Sequence, residues 1–310
     1  MTARVFIDGA AGTTGLDIAE RLSGRADIEL VAIADDCRKD AAARADAMQG
    51  ADVAILCLPD AAAREAADLA AQSDVRLIDA SSAHRVDPAW TYGFPELRVG
   101  QRAEIAASAR VSNPGCYAIG FVSLVAPLVS ARLLPADIAL SCHAVSGFSG
   151  GGKALVERYA NDRTIAWRGY AFTLDHKHLP EMRDRAGLHR APLFAPAVIP
   201  AHRGMIVEVP LLRAADARIA PPDELLSAWC AHYADAATVR VGGLLSEGEL
   251  LLRDDDPPTD RLDIALFASA DGLDVRLVAR LDNLGKGAAG SSVQNLNLMI
   301  GAEETCGLRL

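Results

Sequence analysis

Apolar residues along this chain come in short, nearly continuous runs that alternate with longer stretches carrying one apolar face, and that order predicts the fold. Runs at 4–8, 29–34, 52–58 and 75–79 predict strands buried on both faces, as parallel strands are. Between them, 16–22, 40–48 and 60–72 predict helices, the last alanine-rich and opened by Pro59-Asp60. Regular alternation of strand and helix predicts an α/β fold with a parallel, doubly wound sheet of the Rossmann type. A further apolar run ends near Val111 and turns into an apolar helix over 117–131.

Beyond that helix the pattern changes. A strand at 140–145 runs into a glycine-rich turn and a helix at 154–159. Runs at 206–210, 261–268 and 273–281, with a helix at 224–233 among them, predict an α+β domain on a mixed or antiparallel sheet. The acidic loop 254–258 reads as a solvated hairpin connection. A second glycine-rich turn then leads into a helix at 291–300, read as the chain's return to the first domain. The expected division is 1–114 with 285–310 as a dinucleotide-binding domain, and 115–284 as the second domain.

Composition narrows the class. A chain of 310 residues, 51% hydrophobic and 23% charged, is long enough for two globular domains with large cores. A formal charge of −10 argues against a nucleic-acid partner, which needs clustered Lys and Arg. No apolar run reaches the roughly 18 residues of a membrane span, and no signal-peptide pattern opens the chain. A cytoplasmic protein without a membrane partner is therefore expected. Cys37, Cys57, Cys116, Cys142, Cys230 and Cys306 show no CxxC pair and no metal-ligand spacing, so they read as free thiols.

Candidate chemistry clusters in the turns. Gly9 to Gly15 has the spacing GxxGxxG between a strand and a helix, where small residues let a backbone approach a pyrophosphate. Gly9, Gly12, Thr13, Thr14 and Gly15 are thus candidates for dinucleotide binding. The second strand ends near Asp35-Asp36-Cys37-Arg38-Lys39. An acid there holds a ribose 2′-OH and favours NAD, whereas Arg38 or Lys39 pairs with a 2′-phosphate and favours NADP; the residues alone leave both open. Arg85, in the polar loop after the fourth strand, is a candidate clamp for an anionic group.

At 112–117 the sequence SNPGCY makes a rigid elbow from strand to helix. Pro114 fixes one φ angle and Gly115 relaxes another, which places the Cys116 thiol at a helix N-terminus, where the dipole favours a thiolate nucleophile. The turn 146–153, with Ser146, Gly147 and Lys153, has backbone N–H groups free to surround an anion or a ring. In 175–182, His176 and His178 lie two apart in what reads as an extended segment, and Pro180 opens a helix containing Glu181. A metal site lacks a third ligand at a recognisable spacing, so one histidine as acid/base, steered by Glu181, is the better reading. The turn at 282–290, with Asn283 and Lys286, invites a ligand phosphate or amide.

Five ordered motifs carry a resemblance: the glycine turn at 9–15, SNPGCY at 112–117, AVSGFSGGGK at 144–153, HKHLPEM at 176–182 and NLGKGAAGSSVQNLN at 283–297. Together they resemble the N-acetyl-gamma-glutamyl-phosphate reductase family, and its short form more closely. The resemblance implies a dinucleotide-binding domain interrupted by a catalytic and oligomerisation domain of the semialdehyde-dehydrogenase type. It implies NADPH-dependent reduction of N-acetyl-glutamyl 5-phosphate to the semialdehyde, through a thioester on Cys116, in arginine biosynthesis. From the family's motifs, His178 is implied as base, His176 as substrate-orienting and Arg85 as holder of the phosphate. Asn113 and the Cys116 N–H are implied at the oxyanion, with Glu181 and Lys153 in the substrate site. Ser146, Gly147, Asn283 and Lys286 are implied near the cofactor, and a homodimer or homotetramer as the assembly. Three positions depart from the family: Asp35-Asp36 before Arg38, His202-Arg203 before Gly204, and Ala197 where the long form carries histidine. A sister acyl-phosphate reductase and a non-catalytic cofactor-binding regulator are the alternatives.

Overall fold

The computed structural model describes residues 2–243 and 248–310. The chain folds as two compact units. Unit 1 takes in Met1–Pro95, Gly100–Gly115 and Ala288–Leu308; unit 2 takes in Glu96–Val99, Cys116–Gly287 and Arg309–Leu310.

Unit 1 is built on one parallel sheet. Its strands are β1 (Ala3–Asp8), β2 (Ile28–Val31), β3 (Val53–Leu56), β4 (Arg76–Asp79), β5 (Thr91–Tyr92) and β6 (Arg110–Ser112), in the spatial order β2-β1-β3-β4-β6-β5. Side chains alternate between two cores. Val5, Ile7, Val53 and Ile55 pack with Ile18 and Leu22 of α1 (Thr13–Leu22) and with Val293 and Leu296 of the C-terminal helix Gly290–Ile300. Phe6, Ala54, Leu56 and Leu77 face the other way, towards Met48 of α2 (Ala41–Gln49) and Ala66 of α3 (Asp60–Leu69). Each fully buried Leu or Ile contributes about 1.5–3 kcal/mol, so a register slip that turned a strand over would lose several such terms. The winding reverses between β1 and β3, which puts the ligand crevice of such a sheet at the carboxyl ends of these two strands.

Boundaries differ from the sequence reading in physically simple ways. The strand expected at 29–34 stops at Val31 and that at 52–58 stops at Leu56, because Ala32, Ile33 and Leu58 leave the sheet to line a cavity. Helix α1 begins at Thr13 rather than residue 16, so Thr13, Thr14 and Gly15 are already helical. The two-residue strand β5 and the short α4 (Gln101–Ala107) lack enough residues to show a period.

Unit 2 is organised around α5 (Cys116–Ser130) and a mixed seven-stranded sheet. The sheet's strands are β7 (Ser141–Gly147), β8 (Arg168–Gly169), β9 (Leu193–Ile199), β10 (Met205–Leu212), β11 (Val239–Val241), β12 (Leu262–Ala268) and β13 (Asp274–Leu281). Their order is β11-β12-β13-β10-β7-β9-β8; β7 and β9 pair in parallel, as do β11 and β12, and the rest are antiparallel. Residues 254–258 therefore lie on a connection between parallel partners, not on a hairpin. That loop is also tied down: Asp254 accepts from the His202 N–H at 3.0 Å and Asp256 from Arg280 at 2.8 Å.

Helix α5 is apolar on nearly every side and correspondingly buried. A Cβ on Gly120 would stand 2.8 Å from Val207 of β10, so the glycine lets helix and sheet approach closely. Helices α6 (Gly152–Asn161), α7 (Leu179–Arg185) and α8 (Pro222–His232) complete the unit. From α8 the Trp229 indole donates to the Leu124 carbonyl at 3.0 Å, and just past its end the Tyr233 hydroxyl donates to that of Ser123 at 2.8 Å. Among the described residues, no helix is long and apolar enough to cross a membrane.

Candidate active site

Unit 1 carries a cradle at the carboxyl end of β1. Gly9 holds φ +91°, and a Cβ there would run into the Cys57 carbonyl oxygen. Gly15 lies in the first turn of α1, where a Cβ would stand 2.5 Å from the Gly9 carbonyl oxygen and 2.9 Å from Ala10 Cα. Gly12 occupies the N-cap position with no side-chain cap, and its N–H donates to Gly9 at 3.0 Å. The leading N–H groups of α1 thus lack a side-chain acceptor at the cap, and such a helix end receives phosphate.

A cavity of about 510 Å³ opens beside this cradle, lined by Gly9, Ala10, Ala11, Arg38, Lys39 and Arg44 among others. Arg44 is absent from the sequence expectations. It is buried and donates to the Asp8 carboxylate at 3.0 and 2.7 Å, fixing the end of β1. The side chain of Asp35 lies outside the described residues, and Asp36 is not among the described residues lining the cavity. Glycines that let turn, strand and helix backbones approach closely, an uncapped helix end and two cations at the rim of the cavity together fit a dinucleotide with a phosphate on its adenosine ribose.

Ser112 closes β6 and Cys116 opens α5, so Asn113, Pro114 and Gly115 alone make the elbow. Cys116 is half-buried in the first turn of a fifteen-residue helix, aligned with the positive end of its dipole. Two other thiols differ. Enclosure, with the carboxylates of Asp79 and Asp8 nearby, pushes Cys57 up to about 12, and burial pushes Cys142 up as well. Neither ionises near neutral pH.

Within unit 2, a cavity of about 470 Å³ opens on Cys116. Ser146 and Gly147 at the end of β7 form part of its wall, with Tyr170 and His176. A Cβ on Gly147 would meet the Arg203 backbone at 2.8 Å, while the Gly147 N–H donates to Gly204 at 2.8 Å. His202 and Arg203 thereby belong to the strap that holds this wall, and Arg203 pairs with Asp282 at 2.9 Å. Arg158, Arg168 and Lys177 also line the cavity, and no carboxylate does among its described residues. Burial, with the negative charge of a Cys116 thiolate adding to it, pushes the Tyr170 phenol up to about 12, so it remains an O–H donor.

His176 and His178 are brought together here, in a turn rather than an extended segment. Their rings stand 4.8 Å apart, and the His178 N–H donates to His176 Nδ1 at 3.1 Å. An Nδ1 that accepts a backbone N–H carries no proton, so neutral His176 keeps its hydrogen on Nε2, 3.4 Å from the Tyr170 hydroxyl. His176 is therefore arranged to donate rather than to take a proton at the cavity. His178, at the N-cap position of α7, is buried beside it. The Tyr117 ring, next in chain to Cys116, lies 6.1 Å from one imidazole and 6.0 Å from the other. Among the described residues, no group of three or more His, Cys, Asp or Glu is placed to hold a metal ion.

Asn113 and Arg85 meet in unit 1. The Asn113 N–H donates to Asp79 at 2.7 Å, its side chain donates to Ala288 at 3.0 Å, and its Oδ1 accepts from Asn295 at 3.1 Å. Arg85 donates to the carbonyls of Asn113 and Ala80, both at 3.0 Å. The pair braces the backbone of the elbow.

Residues 4–107 match the semialdehyde dehydrogenase NAD binding domain, and residues 116–283 match the semialdehyde dehydrogenase dimerisation domain. Over 305 residues the chain is 47% identical to the N-acetyl-gamma-glutamyl-phosphate reductase of Burkholderia orbicola, covering 96% of this chain and 97% of that protein. It is 46% identical to N-acetyl-gamma-glutamyl-phosphate reductase 2 of Pseudomonas putida, with 99% of each chain covered. The chain belongs to the N-acetyl-gamma-glutamyl-phosphate reductase family. A probable aspartate-semialdehyde dehydrogenase from Pseudomonas aeruginosa shares the reductase's fold, with TM-score 0.72 at 19% identity over 97% of this chain and 99% of that one.

Not every expected residue of this reductase reaches a cavity wall. Lys153 is exposed on α6, whose Ala154, Leu155 and Arg158 face the Cys116 cavity. Asn283 is buried and donates to Ser149 Oγ at 2.9 Å, and Glu181 is buried in α7. Lys286, expected near the cofactor, is buried with its ammonium 3.0 Å from Glu96 Oε2, both side chains 1% exposed. Arg158, Arg168 and Tyr170 had no sequence signal: the short β8 brings Arg168 into place by pairing with β9.

Proposed function

We propose that this chain catalyses the NADPH-dependent reduction of N-acetyl-glutamyl 5-phosphate to N-acetyl-glutamate 5-semialdehyde with release of phosphate, a step of arginine biosynthesis. The observation that carries the reading is a half-buried cysteine at a helix start, opening on a cavity whose described charges are all cationic. Such a cavity suits a substrate bearing both a carboxylate and a phosphate.

In the proposed sequence, His178 takes the proton from Cys116 and the sulfur attacks the acyl carbon. The carbon–oxygen bond to phosphate breaks, leaving a thioester on Cys116. NADPH, when bound, supplies a hydride to that carbon. The resulting thiohemiacetal collapses, the carbon–sulfur bond breaks, and the proton held at His178 returns to the sulfur. His176 Nε2–H and the Tyr170 hydroxyl donate to oxygen on the acyl group, while Arg158, Arg168 and Lys177 hold the acidic groups. Ser146 and Gly147 shape the wall beside the thioester. Gly9, Gly12, Thr13, Thr14 and Gly15 hold the cofactor's pyrophosphate in unit 1, and Arg38 its 2′-phosphate. Arg85 and Asn113 hold the elbow rather than the substrate.

The match of residues 116–283 to a dimerisation domain supports association between copies of the chain, which we infer to be a homodimer or homotetramer in the cytoplasm. Competition between N-acetyl-glutamyl phosphate and aspartyl phosphate for NADPH oxidation tests the substrate assignment. The N-acetylated substrate should win on kcat/KM by at least about 10²-fold; a preference for aspartyl phosphate rejects the reading.

A further inference from the structure

The lysine expected near the cofactor is buried, and its neighbours point to a further task. Lys286 lies in a π-helical turn, Gly285–Ala289, between two glycines that cannot be replaced without collision. A Cβ on Gly285 would overlap the Thr259 carbonyl oxygen, and one on Gly287 would stand 2.8 Å from Cys116 Cβ. The turn is thus laid directly against the cysteine, and the Gly287 N–H donates to Asp282 at 2.9 Å behind it. Single π-turns are uncommon and cluster at functional sites.

Glu96 anchors this turn from the opposite side. Its Oε2 takes the Lys286 ammonium at 3.0 Å and its Oε1 takes the Thr238 hydroxyl at 2.6 Å. Its main-chain carbonyl accepts from His232 Nε2 at 2.9 Å, at the end of α8. That end of the molecule also reaches α5, through Trp229 and Tyr233. Glu96 is therefore tied to the Cys116 helix by two routes, one at its first turn through Gly287 and one along its length.

We propose that the Glu96–Lys286 pair positions the Cys116 nucleophile, by locking the π-turn that sets the direction of the thiol. The proposal rests on Cys116 being the nucleophile, as argued above. Neither residue touches substrate or cofactor in this role; they act through Gly287. A sulfur displaced by about 1 Å loses on the order of 10²-fold in rate, whereas cofactor binding in unit 1 is untouched.

The test uses the full-length enzyme and three variants: Lys286→Met, Thr238→Val, which removes one Glu96 bond while keeping the side-chain shape, and Gly287→Ala. Two readouts are followed: the rate at which iodoacetamide alkylates Cys116 without substrate, and kcat and KM with NADPH. The expected result is a fall in kcat of about 10²-fold for Lys286→Met and for Gly287→Ala, with a fall in alkylation of about threefold or more as the thiol turns away from the helix N-terminus that favours its thiolate. A smaller fall in kcat, about threefold to tenfold, is expected for Thr238→Val, and KM for NADPH should stay within about twofold throughout. Wild-type alkylation and kcat in Thr238→Val and Gly287→Ala overturn the proposal even if Lys286→Met does not fold. A Lys286→Met enzyme that alkylates normally but shows a KM for NADPH raised by about tenfold or more returns the lysine to the cofactor. Cys116→Ser is run alongside: if it turns over, the nucleophile assignment fails, and if it is inert while the other variants are normal, only the positioning role fails.

Discussion

Replacing the three glycines of the first turn one at a time separates what holds the cradle from what merely occupies it. At Gly9 two costs combine. A residue with a Cβ at φ +91° is strained by about 1–3 kcal/mol. The new methyl also meets the Cys57 carbonyl, in backbone that cannot easily retreat because the Cys57 N–H donates to Asp8 at 2.7 Å. Overpacking of that kind costs about 1–3 kcal/mol more, so Gly9→Ala should destabilise unit 1 by about 2–6 kcal/mol. Gly15 has helical backbone, and alanine there gains up to about 1 kcal/mol of helix propensity against a contact 2.5 Å from Gly9. Its net cost should be about 0–2 kcal/mol. A Cβ on Gly12 would stand 3.4 Å from Gly9, so only the N-cap preference is lost, under about 1 kcal/mol. Urea unfolding followed by circular dichroism gives the order, and NADPH fluorescence titration gives the binding of each variant that folds. The order expected in stability loss is Gly9, then Gly15, then Gly12. If Gly9→Ala unfolds at the same urea concentration as Gly12→Ala, close backbone approach is not what shapes the cradle.

Three further outcomes follow from the geometry. His178→Asn should lower kcat on the order of 10²-fold or more, while His176→Phe, which loses the Nε2–H donor, should cost about tenfold and mainly in KM; the reverse ranking moves the base to His176. Cys57 has its thiol raised in the folded state from 9.0 to about 12, so the stability it contributes is full below about pH 9 and is lost as pH rises towards about 12. Urea midpoints measured across that range should show an alkaline decline that Cys57→Ala flattens, and an unchanged decline in the variant removes the thiol as its cause. Arg38→Gln should raise KM for NADPH about tenfold or more and leave KM for NADH unchanged; equal effects on both cofactors would place Arg38 away from the 2′-phosphate.

Some of this was legible in the residues because backbone geometry restricts which residues can stand there. Gly9 and Gly15 sit where a Cβ would collide, and Pro114-Gly115 makes the elbow that starts α5 at Cys116, so both turns announced themselves. Parallel strands showed equally well, since burial on both faces leaves runs such as 53–56 wholly apolar. Lys286 did not: a lysine between glycines reads as a phosphate ligand, and only the fold brings Glu96, 190 positions earlier, against it. Arg158 and Arg168 were invisible for a related reason, because a charged residue on α6 or on a two-residue strand carries no period that marks it as facing a cavity. The histidine pair reads as extended from its spacing but stands in a turn, since spacing alone does not distinguish an extended segment from a turn closed by the His178 N–H.

If Cys116 carries the acyl group, the thioester should form without any cofactor. Enzyme mixed with N-acetyl-glutamyl phosphate in the absence of NADPH, quenched in acid and examined by peptide mass spectrometry, should carry one acyl group on the peptide containing Cys116. Phosphate should be released in an equal amount, and Cys116→Ser should show neither. Phosphate release that appears only when NADPH is added, with no acyl group on that peptide at any time, would rule out Cys116 as the acyl carrier.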